Sequence, residues 1–144
     1  MSSSVFELIM ARVQAVLLSA TAAGANVYRA RDDAFSSDDV PAINIRRAET
    51  AGDVLGTGGE RHLVAFSLGC FAEGDDWETA VDSLHMQAHA LLLADATLAT
   101  LGHGLRCTAT DAEVDSADQP AGRLNARYQM QVFVRPGDLT TAIN

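Results

Sequence analysis

The chain has 144 residues, a mass of 15.2 kDa and a formal net charge of −9. Hydrophobic residues at 48% and charged residues at 20% fit a globular domain and exclude a disordered, collagen-like or low-complexity chain. All 10 basic residues are arginine, none form a basic run, and no apolar stretch nears the roughly 20 residues of a membrane span, so neither sequence-specific nucleic-acid binding nor membrane insertion is expected.

The first predicted element is a helix. Ser4 and Glu7 have capping-box spacing, and Phe6, Ile9, Val13, Val16, Leu17 and Ala20 recur on one face up to a stop at Gly24. Leu8, Met10 and Leu18 widen that arc, so a second cover, such as a partner subunit, is expected. Asn26–Arg29 reads as a short strand, followed by an acidic loop over Ala30–Asp39. Ala42–Arg47 is the second strand, placed after Pro41. Residues 48–60 read as a long projecting loop, and Arg61–Ala72 as the third strand, with Val64, Phe66, Leu68 and Cys70 alternating.

A second helix is expected from about Asp75, capped by the Asp75/Glu78 pair, to about Ala94. Thr97–Leu101 adds a turn before Gly102. Leu105–Val114 is the fourth strand and residues 115–122 a second long loop. Arg123–Arg135 is the fifth strand, with Leu124, Ala126, Tyr128, Met130, Val132 and Val134 on one face. The order α-β-β-β-α-β-β defines an α+β domain. Its mixed, mostly antiparallel sheet of four to five strands carries two main helices on one face. One domain over residues 1–144 is expected, with 139–144 frayed. Cys70 and Cys107 sit among apolar neighbours, which favours reduced thiols and folding inside a cell; the N-terminus lacks the basic start of a secretory signal.

The residues offer little catalytic chemistry. His85 and His89 are one turn apart, and with Glu78 and Asp82 they fall in a narrow band of the second helix. Such a stripe suits a transition metal, but it lacks the Glu of the H-E-x-x-H motif and a third ligand. A polar flank beside the core stripe is the simpler reading. Asp32, Asp33, Asp38 and Asp39 crowd one loop without EF-hand spacing. Gly56-Thr57-Gly58-Gly59 leads into a strand and lacks the ending of a phosphate loop, so it reads as a hairpin tip. His62 and His103 lie beside loops and are expected to be solvated. No catalytic residue, cofactor or metal site is assigned.

Several phrases, in order over nearly the whole chain, resemble the tail terminator family of long-tailed bacteriophages, the minor tail protein U-like group. They are Val27-Tyr28-Arg29, Val40-Pro41-Ala42-Ile43-Asn44-Ile45-Arg46, and the Gly-Asp-Asp that opens the second helix. Leu93-Ala94-Asp95-Ala96-Thr97-Leu98 follows, where relatives often carry Asp-Pro-Thr-Leu and this chain has Ala96 in place of Pro. The last phrases are Tyr128-Gln129-Met130-Gln131-Val132 and Arg135-Pro136-Gly137-Asp138-Leu139. The resemblance implies a structural virion protein, not an enzyme. It would form a homo-oligomeric ring, commonly a hexamer, on the head-proximal end of the tail tube. It would stop tube polymerisation and offer a docking surface to the head-tail connector. Its place would be the virion tail, and the bacterial host cytoplasm during assembly. Arg46, Arg47, Asp32 and Asp115 are the expected subunit-interface residues, with opposite charges setting register. Two alternatives stand beside this reading: another phage neck or tail-completion protein, and a small metal-dependent enzyme using His85 and His89.

Overall fold

The computed structural model describes residues 3–32, 35, 37–55, 58–115 and 120–143. The elements are α1 (Val5–Leu17), β1 (Val27–Arg29), a short 3-10 helix (Ser37–Asp39), β2 (Ala42–Val54), β3 (Glu60–Glu73), α2 (Trp77–Ala94), α3 (Ala96–Leu101), β4 (His103–Asp115), β5 (Ala121–Arg135) and β6 (Asp138–Ala142). Together they make a single α+β domain. The sheet order is β1-β2-β3-β5-β4, with β6 also paired to β5. β1 and β2 run parallel; β2–β3, β3–β5, β4–β5 and β5–β6 are antiparallel.

The helices lie on one face, and the core forms between them and the alternating residues of β3 and β5. Val64, Phe66, Leu68, Cys70, Ala126, Tyr128, Met130, Val132 and Val134 are all buried there. The period-2 pattern read from the sequence is therefore the inner face of the sheet. α1 buries Val5, Phe6, Ile9, Met10, Val13 and Leu17. Its second cover comes from within the chain: α2 and α3 on one side, β1, β2 and β6 on the other. No partner subunit is needed for that arc, and only Leu8 and Leu18 of its large side chains remain exposed.

Caps and turns explain where the elements stop. The Ser4 hydroxyl accepts from the Glu7 N–H at 3.1 Å and starts α1. The Glu7 carboxylate does not reach back as a capping box requires; it pairs with Arg29 at 2.7 Å. α1 ends at Leu17, well before Gly24, because the chain turns at Ser19 (φ 58°), whose N–H bonds the Gly24 carbonyl. α2 starts at Trp77 behind Asp76, and neither Asp75 nor Asp76 caps it through a side-chain bond. Asp95 caps α3 by accepting from the Leu98 N–H at 2.9 Å. The same carboxylate takes two bonds from Arg12, at 2.9 and 2.7 Å, tying α1 to the α2–α3 corner. Ala96 occupies the first position of α3, where proline is favoured but alanine is equally helical.

Three expectations are corrected. Residues 48–54 are not loop but the outer half of β2, paired with β3 as far as Val54↔Glu60, so the arm is a β-hairpin. The second loop is shorter than 115–122, since Asp115 and Ala121 are already paired; residues 116–119 lie outside the described set. At the C-terminus, where 139–144 are expected to fray, Asp138–Ala142 forms β6 on β5, giving a sheet of six strands; the turn expected at Thr97–Leu101 is the short helix α3.

Candidate functional site

Two places in this fold gather polar groups. The first joins α2 to β5. Tyr128 is completely buried, its ring stacked on Phe66 at 5.3 Å with 7° between planes. Its hydroxyl meets His85 Nε2 at 2.8 Å and His89 Nδ1 at 2.8 Å. A phenol has one proton to donate. It therefore donates to one imidazole and accepts an N–H from the other, a pattern two neutral histidines satisfy. Burial lowers the His85 pKa, and the charge of His89 lowers it further against a small opposing pull from Asp82. Burial also raises the Tyr128 phenol, helped by Cys107 and Cys70.

The helix stripe read from the sequence is thus divided. Glu78 and Asp82 stay exposed, whereas His85 and His89 turn inward to one hydroxyl. Among the described residues, no group of three or more His, Cys, Asp or Glu is placed to hold a metal ion. Sequence reasoning placed Tyr128 in the core stripe and missed its role. The available signal was that a buried tyrosine hydroxyl needs a partner. The other histidines differ from expectation in one case. His62 is half-buried, packed on Phe6 at 5.2 Å and so close over Gly52 that a Cβ there would meet its ring at 2.7 Å. His103 is exposed beside Phe133. Cys70 is buried, with its pKa pushed up to about 12, and Cys107 is half-buried; both are free thiols.

The second place is the outer, helix-free face of the sheet and its two edges. Cross-strand register puts Arg46, Arg61, Arg106, Arg123, Arg127 and Arg135 on that face, so it holds six of the 10 arginines. Asp53 answers Arg61 at 2.8 Å, and Glu113 answers Arg123 at 2.7 Å, which holds the Glu113 carboxyl below its usual range. One end of the face is covered. Phe35 packs on Phe71 and Tyr28, the Arg31 guanidinium lies 4.4 Å over Phe35, and the buried Asn44 side chain bonds the Arg31 backbone twice.

The four expected interface residues fall into this scheme. Arg46 and Arg47 sit on β2 just past the stretch paired with β1. Asp32 bonds Arg46 at 3.1 Å within the chain. Arg47 points to the helix side, its guanidinium 5.1 Å over the Phe6 ring. Asp115 ends β4, at the opposite edge of the sheet. In the acidic loop, Arg31 pairs with Asp39 at 3.1 Å, and Asp33 lies outside the described residues. Of the glycine run, Gly56 and Thr57 lie outside them too; Leu55 N–H bonds the Gly59 carbonyl at 2.8 Å as a hairpin end does.

No family model matches the chain, and no curated protein matches it significantly. Among solved structures it is similar to a chain described as the virion of a native gene transfer agent particle. That similarity covers 90% of this chain and 92% of the other, at 18% sequence identity and a TM-score of 0.46. A likeness at that level fixes neither function nor partner. Among the described residues, no helix is long and apolar enough to cross a membrane.

Proposed function

We propose that this chain is a non-catalytic assembly protein of a phage or phage-like tail. It works as a tail terminator: a homo-oligomeric ring, taken as a hexamer, on the head-proximal end of the tail tube. The ring stops tube growth and receives the head-tail connector. The ordered phrases over the chain suggest the family. The observation that carries the reading structurally is the sheet itself, which among the described residues has its main helices on one face and unpaired strand edges on opposite sides. Such a subunit suits head-to-tail contact around an axis, in which one surface meets a different surface on the next copy. The family phrases also fall where they do structural work. Val27-Tyr28-Arg29 is β1, and Asp95 caps α3 while anchoring Arg12. On this reading the protein resides in the virion tail after assembly in the host cytoplasm.

The metal-enzyme alternative is disfavoured by geometry, because Tyr128 already engages one nitrogen of each helix histidine. The test is electron microscopy of purified particles carrying an enlarged version of this chain. Added density in a ring between tail tube and head is expected. Density elsewhere on the tail assigns another completion role, and its absence from particles refutes the proposal.

A further inference from the structure

Resting on that ring reading, we infer that neighbouring copies join by strand addition: β4 of one copy pairs antiparallel with the outer half of β2 of the next, continuing the sheet across the subunit boundary. Both strands have a free edge. β4 is the last strand of the sheet, and its second half, Ala109–Asp115, pairs with β5 in unbroken register, after the irregularities nearer its start. At the other side, β1 pairs with Ile43–Ile45, and among the described residues no strand pairs with that edge of β2 from Arg46 to Val54. β4 is regular from Ala109 to Asp115 and β2 from Thr50 to Val54, after a break in register between Arg47 and Thr50; such edges present rows of N–H and C=O groups that another strand satisfies.

The direction of the strands fits. β2 and β3, β3 and β5, and β5 and β4 are each antiparallel, so β2 and β4 run in opposite senses within one chain. Rotation about an axis along the strands preserves those senses. The β2 of a second copy then lies antiparallel beside β4, the more stable pairing. Because the two edges differ, the contact is head-to-tail and leaves one free edge of each kind until the ring closes.

The charges fit as well. Asp111, Glu113 and Asp115 lie on the helix-free face at the β4 edge, and Arg46 lies on the same face at the β2 edge. Arg46, Ser67, Arg127 and Ala109 form one cross-strand row, so a small stagger sets Asp111 and Glu113 of one copy beside Arg46 of the next. Opposite charges at this position set register. On the helix side of the same edge, Ala112 and Val114 are exposed, Val114 at 71%. An added strand covers them.

The test is amide hydrogen exchange on the full chain, as dilute monomer and as assembled ring, in solution or on purified tails. Alternate amides of 109–115 and of 46–54 are expected to exchange at least about tenfold more slowly in the assembly. Asp111→Arg and Arg46→Asp are each expected to weaken assembly, and the double variant to restore it. A ring whose two edges exchange as in the monomer overturns the strand-addition inference and leaves the ring intact. Protection of β4 without protection of β2 also overturns it, because a different strand then occupies the edge. Failure of the wild-type chain to assemble in solution or on tails refutes the ring reading itself.

Discussion

Tyr128→Phe removes a single oxygen and keeps the ring that stacks on Phe66. Two hydrogen bonds disappear, those to His85 and His89 at 2.8 Å each. A hydrogen bond between neutral groups contributes about 1 kcal/mol net, so the pair is worth about 2 kcal/mol. Both histidines are only half-buried, so water recovers part of what they lose. The net cost is therefore about 1–2 kcal/mol, a fall in Tm of about 3–7 °C for a domain of this size. Thermal unfolding followed by circular dichroism at pH 7.5 measures it. The pH dependence adds a second readout. The His85 pKa is lowered from its ordinary 6.5 in the folded chain, so the unfolded chain binds more protons near that value. The stability this neutral histidine contributes is complete above pH 6.5 and is lost as pH falls through the folded value. Burial and the charge of His89 cause that shift, so Tyr128→Phe retains the acid slope and His89→Gln weakens it. A Tyr128→Phe protein with unchanged Tm, or a wild type equally stable at pH 5 and 7.5, would refute the account of the cluster.

Three further outcomes follow from particular contacts. Gly122→Ala places a Cβ 2.2 Å from the Trp77 ring, so the strand or the indole must move, at a cost of about 1–3 kcal/mol; since Trp77 is the only tryptophan, its fluorescence is expected to shift along with a lower Tm. Asp95→Ala removes the α3 cap and the Arg12 anchor, and denaturant unfolding is expected to show a loss of about 1 kcal/mol or more, with Arg12→Ala costing less because the cap survives. Thiol titration of the native protein at pH 8 is expected to label Cys107 ahead of Cys70, whose burial holds its pKa at about 12; equal rates would contradict the core placement.

The α+β class and the core of β3 and β5 were legible because their alternation is driven by burial on one face. The outer half of β2 was not. Ala48-Glu49-Thr50-Ala51-Gly52-Asp53 has no apolar alternation, and its residues are mostly exposed. That strand is held by its ladder to β3, which leaves no period in the side chains. β6 escaped for the same reason: Asp138, Leu139, Thr140 and Thr141 are exposed, and only pairing to β5 defines them. The end of α1 was misplaced because Gly24 is a plausible stop, while the turn at Ser19 depends on one backbone bond to Gly24.

At the polar cluster, the spacing of His85 and His89 showed a shared helix face, but their common partner lies some 40 residues away in sequence, on another element. Sequence periodicity sees only neighbours on the same element. The interface residues divided similarly. Opposite charge named Arg46 and Asp115 together, whereas strand order, which sets them on opposite edges, depends on long-range pairing. Asp32 bonds Arg46 on the surface of the same chain, a local contact that charge counting alone does not reveal.

The most direct test of the central claim is electron microscopy of particles made by a phage or prophage from which this gene has been deleted. The account predicts overlong tails that are not joined to filled heads, with both defects reversed by the gene supplied in trans. Particles with tails of normal length correctly joined to heads would contradict it.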